Sequence, residues 1–307
     1  MSTELDLIAA IQAALGPVPA RVLTGSGDDA AVVRADGVAV TSIDSVVDGV
    51  HFSLSTHSPA DVGHKALATA LSDIAAMGAG PGEAYVALGL PPGFEGALEL
   101  VEAMRALALA QGVAIAGGDV VSAPVLSVTV SVTGWSGAAD RLVYRSGARP
   151  GDLVGVTGEL GGSGAGLLAL RSGVTEGPLV ERHRRPQPLL ATGLALAGAG
   201  VSAMIDVSDG VATDAAHVAR ASGVTLHLRL PDLPLAPGVS AEDAATAGDD
   251  YELLFTAPPE ARAAAERAAL ATGTRVSWLG DVRAGRAVAE LHAADGRVVD
   301  LTGYEHG

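Results

Sequence analysis

The stretch Leu126-Ser127-Val128-Thr129-Val130-Ser131-Val132-Thr133 alternates strictly between apolar and hydroxyl-bearing side chains. A period of two residues puts the apolar side chains on one face of an extended chain and the hydroxyls on the other, which predicts a β-strand with one buried face. This strand is the clearest element in the sequence, and it indicates that a sheet forms the centre of the first half of the chain.

Strands and helices surround this strand in an irregular order. A strand that starts at Val38 ends at Asp44, and Ser58-Pro59 opens a long helix through an N-cap and a first-turn proline. Further helices are predicted over about 94–111, 186–198 and 210–222. Because the elements do not alternate strictly, we expect an α+β fold with mixed or antiparallel sheets, and not a doubly wound parallel sheet.

After Gly134 the alternating strand pattern stops, and a segment rich in turn residues follows. The length of the chain suits two domains of ordinary size. We therefore predict an N-terminal domain over residues 1–137 and a C-terminal domain over residues 138–307.

The composition limits the possible functions. The chain has 307 residues and no cysteine, which excludes zinc–thiolate sites, iron–sulfur clusters and a thiol nucleophile. It has neither a signal-like N-terminus nor an apolar run long enough to span a bilayer, so we expect a cytoplasmic protein that does not bind membranes. A net charge of −16 disfavours nucleic acid, and it would equally repel ATP unless divalent cations intervene.

Several aspartates share one property, since each lies at the end of an apolar element or in a glycine-flanked loop. They are Asp28, Asp29, Asp44, Asp48, Asp73, Asp119, Asp206 and Asp209. A single aspartate beside glycine is usually a turn or cap residue. As a set, however, the carboxylates offer the hard oxygen ligands that Mg²⁺ prefers, and the ion would relieve their mutual repulsion. The set therefore indicates a magnesium-dependent site.

The segment from Ile205 to Gly210 is the sharpest local motif, with two aspartates flanking Ser208 between a strand and a helix. The N–H groups at the start of a helix can bind phosphate while the carboxylates bind its metal, although Ser208 or Asp209 could simply cap the helix. The Gly-rich run 158–166 also precedes a helix and is a weaker candidate for a phosphate cradle. A Walker-type P-loop and a complete dinucleotide fingerprint are both absent.

Four further positions could contact a substrate. His51 follows the Asp44 strand closely and could bind phosphate or act as an acid–base group, and Arg145 could clamp phosphate bidentately. Asp249, which precedes an apolar strand, and Tyr304 in the C-terminal segment could line a pocket. Each of the four could equally be a structural or surface residue.

Taken together, these motifs resemble the thiamine-monophosphate kinase family, within the ATP-binding superfamily that includes aminoimidazole ribonucleotide synthetase. The resemblance covers nearly the whole chain and rests on segments 27–32, 44–52, 65–79, 117–119, 144–152, 205–210 and 248–254. It implies transfer of the γ-phosphate of ATP to thiamine monophosphate, which gives thiamine diphosphate and ADP in the final step of thiamine diphosphate biosynthesis. It also implies a homodimer whose N-terminal sheets pair, and a ferredoxin-like C-terminal domain.

The resemblance also assigns roles to single residues. The shell of several magnesium ions would be Asp29, Ser42, Ile43, Asp44, Asp73, Asp119, Asp206 and Asp209. The contacts with ATP would be Gly118, Asp119, Arg145 and Ser208, and those with thiamine monophosphate would be His51, Asp249 and Tyr304. No protein nucleophile is expected, because the family is thought to use direct in-line transfer, which needs alignment and charge neutralisation.

Four positions depart from the pattern of the family. Ala70 stands where asparagine is usual, Ile43 and Val120 where threonine is common, and Asp249 where glutamate is usual. Ile43 can offer a metal only its backbone carbonyl, and the carboxylate of Asp249 reaches one methylene less far. These departures concern the fine geometry of the site and leave the expected fold unchanged.

Two kinds of alternative stay open. Sibling enzymes of the same fold form an amidine or selenophosphate or take part in hydrogenase maturation, but the selenium and hydrogenase relatives would need a cysteine or selenocysteine that this chain lacks. A magnesium-dependent nucleotide-binding regulator is the other alternative, and the full set of aspartates argues against it because a binder needs fewer metals than a catalyst.

Overall fold

The computed structural model describes residues 4–26 and 30–304. Of these, the residues up to Ile74 together with Gly80–Gly137 form one compact unit, and Ala75–Ala79 together with the residues from Ala138 onward form a second. No described helix is both long and apolar enough to cross a bilayer.

The first unit is built on a mixed four-stranded sheet. Its elements are α1 (Glu4–Leu15), β1 (Val22–Thr24), β2 (Val32–Val33), β3 (Val38–Val47), α2 (Pro59–Ala76), β4 (Gly80–Leu90), α3 (Ala97–Gln111), β5 (Ala114–Ser122) and β6 (Ser127–Ser136). The sheet order is β3-β6-β4-β5, and β1 and β2 form a separate two-stranded ribbon. Strands β4 and β5 are parallel and joined through α3, whereas β6 is antiparallel to both of its neighbours.

The alternating stretch forms β6, as its pattern predicted. Val128, Val130 and Val132 are all buried, while the hydroxyl-bearing residues between them are half-buried. The strand pairs along its whole length with β3 and also with β4. Strand β6 is therefore a central strand of the sheet, and its apolar face is buried.

The predicted start of the long helix α2 is confirmed. The hydroxyl of Ser58 accepts the Asp61 N–H at 3.2 Å, and the Asp61 carboxylate accepts the Ser58 N–H at 2.9 Å. Each side chain thus satisfies a backbone donor that the first helical turn would leave unpaired, and Pro59 needs no such partner. Thr3 and Asp6 in the sequence also suit a capped start of α1, but Thr3 lies outside the described residues.

The second unit contains a seven-stranded sheet. Its elements are β7 (Leu153–Thr157), α4 (Gly162–Arg171), α5 (Pro178–Arg184), α6 (Leu190–Gly198), β8 (Ala203–Asp206), α7 (Val211–Ser222), β9 (Thr225–Arg229), α8 (Ala241–Thr246), β10 (Leu253–Ala257), α9 (Arg262–Ala271), β11 (Val276–Arg283), β12 (Val288–His292) and β13 (Val298–Val299). The strand order is β13-β12-β9-β11-β7-β10-β8.

Part of this sheet has the ferredoxin-like arrangement. Strands β7, β8, β10 and β11 come in this order along the chain, with helices after β7 and β10 and with α7, β9 and α8 inserted between β8 and β10. They lie in the order β11-β7-β10-β8 with every adjacent pair antiparallel. The expected α+β class with mixed and antiparallel sheets is therefore confirmed, as is the ferredoxin-like core of the C-terminal half.

Several details differ from the sequence prediction. Strand β3 continues to Val47 instead of ending at Asp44, and α9 had not been predicted. The helix expected over 186–198 begins only at Leu190, because Pro186 and Pro188 lack an N–H group and disfavour a helical conformation of the residue before each of them. Two short helices, α5 and α8, had not been predicted either. With seven and six residues they are too short to show a clear apolar period.

Candidate functional site

Two aspartates of the first unit lie together at the sheet. Asp44 is in β3 and Asp73 is near the end of α2, and their side chains are hydrogen-bonded to each other. Burial raises the pKa of Asp44 to about 6, and the nearby charge of Asp73 contributes to the rise. Ser42, which lies two residues from Asp44 and therefore on the same face of β3, donates its hydroxyl to Asp73.

This group fits a hard divalent cation. Its three side chains present oxygen only, and two of them are carboxyl groups close enough to disfavour each other's charge. A divalent cation takes such ligands and removes that repulsion. Ile43 points to the opposite face, where its side chain is 66% exposed, so its backbone carbonyl is the group it can offer to a metal.

Asp119 lies in β5, at the other edge of the same sheet. Asp44 pairs with Val130, Val130 with Val86, and Val86 with Gly118, so three strand spacings separate the Asp44 and Asp119 regions. At about 4.8 Å per spacing, this is roughly 14 Å, too far for both carboxylates to bind one ion. Within one chain, Asp119 therefore does not join the Asp44 group.

An apolar cavity of about 100 Å³ adjoins Gly118 and Asp119. Ile8 of α1, Met104 of α3 and Leu88 of β4 contribute to its walls. Gly118 cannot carry a side chain, because an added Cβ would lie 2.1 Å from the carbonyl oxygen of Val86. The close approach of β4 and β5 thus shapes one wall of this cavity.

A second acidic group lies in the second unit, around the start of α7. Asp206 ends β8 and is buried, and Asp209 is half-buried in the loop that follows. Asp214, which the sequence analysis missed, accepts the Asp209 N–H at 3.1 Å. Burial, and then the charge of Asp206, raises the pKa of Asp214 to about 8, although the positive charge of Arg145 opposes the rise.

Asp214 had a signal in the sequence that was not used. It follows Val211 by three residues and precedes Val218 by four, so it lies on the buried stripe of α7. A carboxyl group on an apolar helical stripe has to be paired, protonated or bound to a cation, since an isolated buried charge is costly. This buried acid therefore belongs with Asp206 and Asp209.

The loop that carries Ser208 and Asp209 contacts two of the predicted substrate residues directly. The Asp249 N–H donates to the carbonyl of Ser208 at 2.8 Å, and the Tyr304 N–H donates to the carbonyl of Asp209 at 2.9 Å. Asp249 has a positive φ of 64°, and its carboxylate accepts the hydroxyl of Tyr251 at 2.9 Å. The fold thus brings a predicted ATP contact, a predicted metal ligand and two predicted substrate contacts together.

The Gly-rich run 158–166 is occupied by a carboxylate of the same chain. Asp250 accepts the Gly161 N–H at 2.5 Å and the Ser163 N–H at 3.1 Å, at the start of α4. Arg182 pairs with Asp250 and with Glu252, whose pKa burial raises to about 7. The weaker candidate for a phosphate cradle is therefore filled from within, and the interpretation of this run as a phosphate site was wrong.

The remaining predicted residues lie in both units. His51, in the first unit, is exposed and accepts the Val47 N–H through Nδ1 at 3.2 Å. Arg145, in the second unit, is exposed, and its charge acts on Asp214. Asp28 and Asp29 lie outside the described residues. Within residues 4–26 and 30–304, no group of three or more histidine, aspartate or glutamate side chains is arranged as a metal site, so the magnesium shell stays a prediction.

Both units match models of one protein family. The N-terminal domain model of AIR synthase related protein matches residues 27–136, and its C-terminal domain model matches residues 149–292. A thiamine-monophosphate kinase of Salmonella typhimurium is 38% identical over 305 residues, which cover 93% of this chain and 92% of that protein. The chain belongs to the thiamine-monophosphate kinase family.

Two other members support this assignment. A thiamine-monophosphate kinase of Mycobacterium tuberculosis is 44% identical over 216 residues, 68% of this chain, and the match spans less than two thirds of that protein, 64%. The solved structure of AaThiL complexed with AMPPCP and TMP has a TM-score of 0.79 and 29% identity, and it covers 100% of this chain and 99% of that one. The family predicted from the sequence motifs is confirmed.

Proposed function

We propose that this chain catalyses transfer of the γ-phosphate of ATP to thiamine monophosphate, giving thiamine diphosphate and ADP. The observation that supports this most strongly is its match along its full length to AaThiL, which was solved with the ATP analogue AMPPCP and TMP together. The reaction would complete thiamine diphosphate biosynthesis.

The residues of the second unit are suited to hold the reacting phosphates. Arg145 is exposed close enough to Asp214 to affect its pKa, so its guanidinium is available to pair with phosphate oxygens. Ser208 offers a hydroxyl in the loop at the start of α7, where the helix dipole favours an anion. Asp249 and Tyr304 would hold the thiamine phosphate beside this loop, which favours direct in-line transfer without a protein nucleophile.

Magnesium ions would be held by Ser42, Asp44 and Asp73 in the first unit, and by Asp206 and Asp209 in the second. When bound, such ions neutralise phosphate charge and screen the repulsion between two anionic substrates. The environment of the carboxyl groups supports this role, because burial, and then the charge of a neighbouring aspartate, raises the pKa of Asp44 and of Asp214. Asp29, Ile43 and Asp119 would complete the shell.

We also propose that the active form is a homodimer whose N-terminal sheets pair. The separation of the Asp44 and Asp119 regions across the sheet supports this, because residues at its two edges cannot bind one ion within a single chain. If the sheets of two chains paired, the Asp44 edge of one chain could lie next to the Asp119 edge of the other. Sedimentation of the purified protein at micromolar concentration should then give twice the mass of one chain.

The activity is tested by incubating the purified protein with ATP, Mg²⁺ and thiamine monophosphate, and following thiamine diphosphate and ADP by chromatography. Equal amounts of the two products, abolished by EDTA and restored by excess Mg²⁺, are expected. ADP without thiamine diphosphate would contradict the proposal and indicate a sibling substrate. ATP binding without turnover would contradict it in favour of a regulator.

A further inference from the structure

Residues 300–304 lead from the edge strand β13 to the loop that carries Ser208 and Asp209, a predicted ATP contact and a predicted metal ligand. Leu301 packs against the hydrophobic core of this unit, which anchors the middle of the segment. The Gly303 N–H then donates to the hydroxyl of Thr213 at 3.0 Å, and the Tyr304 N–H donates to the carbonyl of Asp209 at 2.9 Å. The segment is therefore attached to both sides of the start of α7.

Gly303 is required for this attachment. A Cβ added at this position would lie 1.9 Å from the carbonyl oxygen of Asp209 and 3.1 Å from the hydroxyl of Thr213. The first oxygen is part of the backbone, so it cannot move aside as a flexible side chain would. Any larger residue at position 303 would have to lift the segment away from the loop.

The other side of the same loop is held in a similar way. The Asp249 N–H binds the carbonyl of Ser208, and an added Cβ at Gly248 would lie 2.4 Å from that oxygen. The consecutive carbonyls of Ser208 and Asp209 thus accept the backbone N–H groups of the two residues that would contact the substrate in this unit. Both substrate contacts are fixed relative to the metal loop by main-chain hydrogen bonds.

We infer that Gly303 and Thr213 are positioning residues that hold Tyr304 on the Asp209 loop, so that the thiamine phosphate is bound in register with the phosphate to be transferred. The inference rests on the proposed kinase activity. In-line transfer requires the two reacting groups to lie about 3–3.5 Å apart, and a displacement of about 1 Å can cost on the order of 100-fold in rate. A substrate contact attached to the loop meets this requirement better than one on a free chain end.

The test compares the wild type with four single variants and one double variant. Gly303→Ala lifts the segment, Thr213→Val removes the acceptor hydroxyl while keeping the shape, and Thr213→Ser keeps the hydroxyl. Thr302→Ala is the control, because Thr302 is an exposed neighbour in the same segment. For each variant, kcat, the KM for thiamine monophosphate, the KM for ATP and the melting temperature are measured.

Gly303→Ala is expected to lower kcat/KM for thiamine monophosphate at least about tenfold, because misalignment lowers kcat and loss of the contact raises KM. Thr213→Val should lower kcat/KM about two- to tenfold, the effect of one hydrogen bond. The KM for ATP and the melting temperature should stay close to those of the wild type, and Thr213→Ser and Thr302→Ala should behave like the wild type. The double variant Gly303→Ala/Thr213→Val should be no worse than Gly303→Ala alone, because both changes break the same attachment.

Two results would overturn the inference while the wild type remains an active kinase. One is an unchanged kcat/KM for thiamine monophosphate in both Gly303→Ala and Thr213→Val. The other is an equal rise of both KM values together with a lower melting temperature, which would indicate a merely structural role. A wild type that does not phosphorylate thiamine monophosphate would instead refute the proposed function itself, and the inference with it.

Discussion

Asp44 lies in a place where the chain disfavours negative charge, and Asp209 adjoins a second such carboxyl group, Asp214. Burial and Asp73 raise the pKa of Asp44 to about 6, and burial and Asp206 raise the pKa of Asp214, which accepts the Asp209 N–H, to about 8. Buried carboxyl groups with strongly shifted pKa values are typical of ligand-binding and catalytic sites. The oxygen donors of these two groups suit a divalent cation with bound phosphate.

Replacement of either aspartate by asparagine should stop catalysis without unfolding the protein. Asp44→Asn and Asp209→Asn are each expected to lower kcat at least about 100-fold, because each removes the charge of a predicted metal ligand and keeps the shape of the side chain. Steady-state assays at saturating Mg²⁺, together with circular dichroism, check this expectation. Asp36→Asn, at an exposed position, serves as the control and should be fully active; normal activity in both test variants would remove these residues from the metal shell.

Single residues show how far sequence motifs predict a site. The hydrogen bond of Ser42 to Asp73 joins two segments whose proximity no local pattern reveals, and only the resemblance to a known family placed both residues in one shell. Asp214 was missed because a family motif that ends at Gly210 does not extend into the helix. Its partner, the Asp209 N–H, is a backbone group that has no signature in a sequence.

Elements with similar sequence patterns have different roles in this fold. Both α4 and α7 follow a Gly-containing loop after a strand, and both were candidates for binding phosphate at their start. The loop before α7 leaves Ser208 and Asp209 half-buried, whereas α4 has its first N–H groups occupied by Asp250. The sequence could predict both helices, but it could not reveal that a residue almost 90 positions away fills one of the two.

The occupied start of α4 gives a prediction about stability. Asp250→Ala leaves the N–H groups of Gly161 and Ser163 without an acceptor, so the free energy of unfolding should fall by about 1–3 kcal/mol. Glu159→Ala is the matched control, because Glu159 pairs with the same Arg182 but has a side chain that is 56% exposed. Chemical denaturation should show a change within about 0.5 kcal/mol for the control. Equal stability of the two variants would mean that Asp250 does not serve as the cap.

Helix α1 gives a prediction about nucleotide binding. Ile8 lines the apolar cavity beside Gly118 and Asp119, a place that suits the base or ribose of ATP next to its predicted contacts. Ile8→Glu should raise the KM for ATP about tenfold or more, because it puts a charge into an apolar wall. The KM for thiamine monophosphate should change much less. Ala9→Glu adds the same charge at the next, exposed position and should leave both constants unchanged; equal effects of the two variants would contradict this use of the cavity.

The chain as a whole is strongly acidic, with a net charge of −16, yet the family to which it belongs handles two phosphate-bearing substrates. The composition predicted that the chain would repel such substrates unless divalent cations reduce the repulsion. What the composition could not predict was that each unit has carboxyl groups with a strongly raised pKa, namely Asp44 in the first unit and Asp214 and Glu252 in the second. The raised pKa values make the stability of the protein depend on pH, and a divalent cation that bound these carboxyl groups would change that dependence.

The direction of this dependence follows from the pKa values. Folding raises the pKa of Asp214 from 3.8 to about 8 and that of Asp44 from 3.8 to about 6. At a pH between the unfolded and the folded pKa values, these two carboxyl groups hold more protons in the folded chain than in the unfolded chain. The metal-free protein should therefore lose stability as the pH rises from about 4 to about 8. Mg²⁺ should reverse this loss, because it binds the ionised carboxylates of the folded state.

Melting curves at pH 5 and pH 8, with and without Mg²⁺, test this expectation. Mg²⁺ should raise the melting temperature clearly more at pH 8 than at pH 5. Asp214→Asn should raise the melting temperature of the metal-free protein at pH 8 by about 2–4 °C, since an amide at this position has no charge to bury. The gain should shrink toward pH 5, where the carboxyl of the wild type keeps its proton, and Asp36→Asn should show no such gain. If Asp214→Asn melted at the wild-type temperature at both pH values, Asp214 would not carry the proposed buried charge, and the acidic group of the second unit would reduce to Asp206 and Asp209.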